Sequence, residues 1–243
     1  MSPLSQIDYP ITAQPSETTC GPTCLHSVYA HYGAPMALGD VIEQTQALEG
    51  GGTLAVFLGI HALKRGWKAT IETLNLQLFD PSWFAPGAKV DLAAKLAAQK
   101  KAKPGKKLGI ATDGYLEFLR LGGRVRFRDM KREALRERLR HGKPVIAGLS
   151  ATYLYGCARE TADCVFDDVA GEPSGHFVVL CGYDEAERLV LVADPLYPRA
   201  PSPSRLYAVP IARVINSILL GVLSYDANML VIEPPMEGRK WRC

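Results

Sequence analysis

An α+β protein is what this sequence predicts, and two patterns predict it. Apolar residues recur at helical spacing early in the chain, with Cys20, Cys24, Val28 and Tyr32 four residues apart and Leu25 beside them. Later, Gly175–Tyr183 and Leu189–Ala193 read as two strands joined by the turn-like Asp184-Glu-Ala-Glu-Arg188. Helices first and a mainly antiparallel sheet afterwards is an α+β order.

The chain of 243 residues can hold one large domain or two small ones, and 47% hydrophobic against 22% charged residues is an ordinary globular balance. A formal charge of +3 is too small to argue for nucleic acid or an anionic membrane as partner. The N-terminus lacks a basic region followed by an apolar run, so neither secretion nor an anchor is signalled. The longest apolar stretch, Val214 to Leu223, is broken by Asn216, Ser217 and Gly221 and falls short of the roughly 20 residues that span a bilayer. A cytoplasmic protein is expected, with six cysteines as reduced thiols rather than a disulfide framework.

The first helix begins near Thr19. Thr18 or Thr19 can cap it, Pro22 suits the first turn, and Gly33 stands at its end. A second helix is expected around Leu38 to Ala47. A third runs from Thr53 through Leu54, Phe57, Ile60 and Leu63 to Gly66, and Trp67 to Leu74 then alternates like a strand. Residues 80–108 change in composition, with Pro81, Pro86, Pro104 and a lysine stretch from Lys89 to Lys107. They read as an insertion holding a short Ala-rich helix and a mobile connector, a solvated stretch before it is a dock for an acidic partner.

Thr112 to Leu121 reads as a helix, Val125 to Phe127 as a strand, Met130 to Arg140 as a charged surface helix, and Pro144 to Leu149 as a buried strand. After Asp194-Pro195 the run Pro195 to Pro203 is a loop, Ile211 to Leu220 is helical, and Met229 to Ile232 is a last strand. The tail to Cys243 is expected to fray.

Chemistry concentrates at Cys20. A helix N-terminus offers unpaired N–H groups and positive dipole, which favour a thiolate. Cys24, one turn on, fits a core position. Gln14 lies six residues upstream and could point a side-chain amide at the nucleophile; with the Cys20 N–H it would form an oxyanion hole. Gly21 would leave the backbone uncovered for substrate.

The base must be an imidazole held by a third group. His26 lies about 240° around the helix from Cys20 and faces away. His31, His61 and His141 read as surface or half-buried residues. His176 differs because a turn near Ala186 puts Asp194 opposite residue 178, on the same strand face as His176. A one-residue slip would undo this.

Gln14-Pro-Ser-Glu-Thr-Thr-Cys20-Gly21-Pro-Thr, then Gly175-His176-Phe-Val-Val-Leu and Ala193-Asp194-Pro195, together resemble the papain-like cysteine peptidases of the bacteriocin-processing, double-glycine leader type. The resemblance implies a papain-like fold, with a nucleophile helix in an N-terminal helical half packed on a mainly antiparallel sheet. It implies Cys20 as nucleophile, His176 as base, Asp194 as orienter and Gln14 as oxyanion donor. The reaction expected is cleavage of a peptide or isopeptide-like amide through a thioacyl-enzyme, with no cofactor and a peptide or protein as substrate.

Thr19 stands where that family has an acidic residue, and the Cys20-to-His176 separation is longer than in the leader peptidases. No transporter domain follows, so a free-standing relative is expected, one catalytic domain over 1–235 with the insertion at 80–108 and a frayed tail at 236–243. Trp83, the lysine stretch and Tyr153 to Cys164 would shape a different substrate site or a lid. Acyl or peptidyl transfer at the same triad, a zinc site using Cys20, Cys24, Cys157, Cys164, His176 and Cys181, and a non-catalytic peptide-binding domain are the rivals.

Overall fold

A computed structural model describes residues 4, 7–196, 204–221 and 227–235; most of the proline-rich loop and the tail at 236–243 lie outside them. The described helices are α1 (Cys20–His31), α2 (Leu38–Gln44), α3 (Ala55–Lys64), α4 (Leu92–Ala102), α5 (Lys106–Arg120), α6 (Arg132–Arg140), α7 (Ala151–Tyr155) and α8 (Ile211–Leu220). The strands are β1 (Lys68–Thr73), β2 (Arg124–Phe127), β3 (Val145–Ser150), β4 (Gly175–Asp184), β5 (Leu189–Ala193), β6 (Leu206–Pro210) and β7 (Asn228–Glu233).

All seven strands join one sheet in the order β2-β1-β7-β3-β4-β5-β6. Only the β1–β2 pair is parallel; the other neighbours are antiparallel. The α+β expectation therefore holds, with one correction: β1 comes from the first half of the chain, ahead of α4 and α5, so the sheet is built from both halves. The helix carrying Cys20 lies on a mainly antiparallel sheet, which is the arrangement the papain-like resemblance implied.

Helices cover both faces, and that explains why β3 and β4 are apolar without interruption. On one face Leu25, Val28 and Tyr29 of α1, Phe57 and Leu58 of α3 and Phe118 of α5 pack with Phe177, Val179, Ile146 and Leu230. On the other, Leu135 and Leu139 of α6 and Val214 and Ile218 of α8 pack with Val178, Leu180, Leu149 and Val192. The alternation along β4 sends neighbouring residues into different cores.

The insertion is more ordered than expected. Asp80 caps a 3-10 helix at Pro81–Phe84, Asp91 caps α4 through the Ala94 N–H at 3.0 Å, and Leu96 is fully buried. The expected mobile connector is instead the start of α5, six residues ahead of the predicted helix at Thr112. Lys100 pairs with Asp113 at 2.5 Å and Lys106 with Glu49. Among the described residues no helix is long and apolar enough to cross a membrane.

Candidate active site

Cys20 is the first residue of α1 and is half-buried. Thr19 occupies the N-cap position, but its hydroxyl is engaged with Ser16, accepting from the Ser16 N–H at 3.1 Å and donating to the Ser16 carbonyl at 3.0 Å. No side chain competes for the N-terminal N–H groups of the helix. Gly21 is buried, contrary to the expectation that it leaves backbone open to substrate. A Cβ there would sit 2.6 Å from Thr53 Cγ2 and 3.3 Å from Phe177 Cδ2, so its lack of a side chain lets α1 close on β4.

Three of the other described thiols, Cys24, Cys157 and Cys181, are placed unfavourably for nucleophilic work, while Cys164 is exposed. Cys24 is fully buried, donates to the Phe177 carbonyl at 3.2 Å, and is pushed well up by burial and then by the neighbouring Cys20 and Asp194 charges. Burial likewise pushes Cys181 up to about 12 and raises Cys157.

His176 Nε2 and Asp194 Oδ1 are 2.9 Å apart. How they meet is a matter of register. At the turn Asp184 faces Leu189 and Gly182 faces Leu191, a pairing that would continue to put Asp194 opposite Val179, on the α1 face. A β-bulge between Leu180 and Gly182 adds one residue to β4, after which Leu180 faces Val192 and Val179 faces Ala193. Asp194 thus follows opposite Val178, the position expected from sequence, on the face that carries His176. Leu149, directly opposite His176 on β3, belongs to the α6/α8 core and fixes that face.

Asp194 is fully buried and takes four hydrogen bonds. Oδ1 accepts from His176 and from the Leu196 N–H at 2.9 Å; Oδ2 accepts from Tyr155 OH at 2.7 Å and Tyr207 OH at 2.6 Å. Burial alone would raise Asp194, but His176 and these donors hold it below the usual carboxylate range. Burial alone would lower His176, yet the Asp194 carboxylate and the Cys20 sulfur outweigh it and raise the imidazole to about 10. Both phenols are pushed far above the ordinary tyrosine value, by burial and then by Asp194.

Cys20, His176 and Gly175 line one cleft of about 280 Å³, together with Gly50 to Thr53, Glu17 and Lys107. Cys20 reaches the end of β4 from the α1 side and His176 from the α6/α8 side. Gln14 is tied to the same corner, its N–H donating to the Pro195 carbonyl at 3.0 Å. Its side-chain amide donates to the Ser16 carbonyl at 2.9 Å and does not line the cleft.

Sequence reasoning missed Tyr207 and the Gly50–Gly52 wall; Lys107 and Tyr155 fall in the stretches expected to shape a substrate site or lid but were not singled out. The glycines stand directly before Thr53, where the third helix was expected to begin, and β6, which carries Tyr207, was not expected as a strand. Of the other histidines, His61 is buried rather than half-exposed, with Nδ1 2.9 Å from Tyr29 OH, and His31 is exposed, its Nε2 3.1 Å from the Gly142 carbonyl. Among the described residues no three of His, Cys, Asp and Glu converge as a metal site would need.

With this geometry, the decisive match is that of residues 105–212 to the model of the Peptidase_C39 like family. Residues 105–212 are C39-peptidase-like. That segment contains His176 and Asp194, while Gln14 and Cys20 lie ahead of it. Among solved structures, a C39-like peptidase from Bacillus anthracis is similar at 15% identity and TM-score 0.49, over 93% of this chain and 94% of that one. The peptidase domain of Streptococcus ComA, a bifunctional ABC transporter involved in quorum sensing, is similar at 14% identity and TM-score 0.46, over 93% of this chain and 99% of that one. No curated protein matches. The similarity over residues 105–212 supports a cysteine peptidase-like function.

Proposed function

We propose that this chain is a hydrolase that cleaves a peptide or isopeptide-like amide through a thioacyl-enzyme on Cys20, within a single catalytic domain. The observation that carries the proposal is the His176–Asp194 pair facing, in one cleft, a thiol at a helix N-terminus. With Nε2 committed to Asp194, Nδ1 is the imidazole nitrogen left for the Cys20 proton. Cys20 Sγ attacks the scissile carbonyl carbon, and the imidazolium then gives its proton to the leaving amine. Water, deprotonated by the same imidazole, releases the acyl group and restores the thiol.

The negative oxygen formed on attack meets the Cys20 N–H at the positive end of α1. Gln14 becomes the second donor when its amide leaves the Ser16 carbonyl. The described cysteines are free thiols, as suits a reducing compartment such as the cytoplasm.

Limiting iodoacetamide with adduct mapping tests the assignment without a known substrate. Cys20 is expected to be labelled ahead of the other thiols, and the preference to vanish in His176→Ala. Preferential labelling of Cys157 or Cys164, unchanged in that variant, would overturn it. A peptide and amide library, profiled with wild type and Cys20→Ala, then identifies the bond cleaved.

A further inference from the structure

We propose that Tyr155 and Tyr207 are positioning residues of the site: their two hydroxyls clamp Asp194 Oδ2, so that Oδ1 stays aimed at His176 and the carboxylate stays ionised without water. The inference rests on the assignment of Cys20, His176 and Asp194 above.

A fully buried carboxylate must replace its hydration or take up a proton. Phenols suit this place. They supply short O–H donors at 2.7 and 2.6 Å, remain protonated across the working pH range, and add no positive charge that would compete with the imidazolium. An arginine there would neutralise Asp194 and weaken its hold on His176. Because both phenols bind Oδ2, rotation of the carboxylate is blocked and Oδ1 is reserved for His176 and the Leu196 N–H.

Each phenol is itself held. Tyr207 lies opposite Val192 on β6, diagonal to Asp194, whose N–H donates to the Arg205 carbonyl at 2.9 Å. Tyr155 ends the short helix α7. Ser150 Oγ accepts from the Tyr153 N–H at 3.3 Å at its start, and Arg213 of α8 donates to the Leu154 and Tyr153 carbonyls at 2.9 and 2.7 Å at its end. Two unrelated elements therefore converge on one oxygen. The titratable groups that interact with Asp194 are His176 from β4, Cys24 from α1 and the two phenols, while Cys20 of α1 acts on His176 and Tyr155.

Loss of a hydroxyl makes Asp194 easier to protonate, which weakens the imidazolium and in turn the Cys20 thiolate. The test is the rate of Cys20 alkylation by iodoacetamide from pH 4 to 9 on the full chain, with the adduct located by mass spectrometry. Tyr155→Phe and Tyr207→Phe keep the rings. Each is expected to slow alkylation at pH 6 about tenfold and to move the midpoint of the rate profile up by about one pH unit. Rates should converge with wild type well above that midpoint. Tyr183→Phe, a half-buried phenol near the other end of β4, should leave the profile unchanged.

Midpoints that stay in place in both variants, with only the melting temperature lowered, would overturn the clamp and leave a structural role. If wild-type Cys20 has no reactivity that depends on His176, the assignment of the site fails and the clamp with it. If that reactivity is present and both Phe variants match wild type, the clamp alone fails.

Discussion

Gly21→Ala should loosen the contact between α1 and β4, and Thr53→Ser should relieve it. The new Cβ would stand 2.6 Å from Thr53 Cγ2, 3.3 Å from Phe177 Cδ2 and 3.4 Å from Leu58 Cδ1. Thr53 cannot rotate its methyl away cheaply, because its Oγ1 donates to the Gln46 carbonyl at 2.7 Å in a buried setting. Overpacking of this kind costs about 1–3 kcal/mol, offset by up to about 1 kcal/mol from the better helix propensity of alanine. A net loss of about 1–2 kcal/mol is expected. It should come with slower alkylation of Cys20, since the residue that is forced back is its chain neighbour.

Thr53→Ser removes the clashing methyl and keeps the hydroxyl, at a cost by itself of about 1 kcal/mol. In the double variant the added and deleted methyl groups exchange places, so the losses should cancel in part, with a coupling of about 1–2 kcal/mol. Urea unfolding of the four proteins gives the coupling, and iodoacetamide kinetics reports the site. Strictly additive stabilities, or a Gly21→Ala protein as stable and as reactive as wild type, would refute the close-approach argument.

Two further outcomes follow from the charges. In Asp194→Asn only the Cys20 sulfur is left to oppose burial at His176, so the imidazolium should be lost at a markedly lower pH than the about 10 to which it persists with the carboxylate in place. Hydrolysis of a library-identified substrate should therefore lose its activity between pH 7 and 10, and an unshifted profile would contradict this. The stability linkage has the matching sign: a raised His176 stabilises the fold fully below its unfolded value of about 6.5 and loses that contribution as pH rises through about 10, a dependence that urea midpoints should no longer show in the variant. Gln14→Ala should lower kcat about 100- to 1000-fold at nearly constant KM while leaving Cys20 alkylation unchanged, because alkylation forms no oxyanion. An equal drop in both rates would assign Gln14 to holding the loop alone.

The parts of the fold legible in the sequence were those with a local period. The apolar spacing of α1 and α3, the long β4 run and the Asp194-Pro195 stop all announce themselves within a dozen residues. What was not legible depends on distant partners. Residues 103–111 looked like a lysine-rich connector because their helix is stabilised by packing of α5 on α3 and α4, where Gly114 sits too close to Phe57 and Val56 to carry a side chain. Tyr207 lies on an edge strand recognisable only once β5 is beside it. Tyr155 closes a five-residue helix too short to leave a periodic trace. Tyr155 and Tyr207 were thus hidden for one reason: each is brought to Asp194 by a different tertiary contact.

The His176–Asp194 register was predicted correctly from an incomplete premise. A turn centred near Ala186 was assumed to lead straight to Asp194, whereas the observed pairing of Asp184 with Leu189 places the centre half a residue later and requires a bulge to restore the face. Cys181 lies at that bulge with its thiol 3.6 Å from the Leu191 carbonyl, and Gly182 beside it has no room for a Cβ, which would meet Ile7 Cδ1 at 2.5 Å. Two devices therefore assemble the site separately. The bulge sets His176 against Asp194, and the Gly21 contact sets the start of α1, with Cys20, against the end of β4. Because the first lies within the C39-like segment and the second joins it to residues ahead of that segment, loosening α1 should impair Cys20 while leaving the His176–Asp194 pair intact.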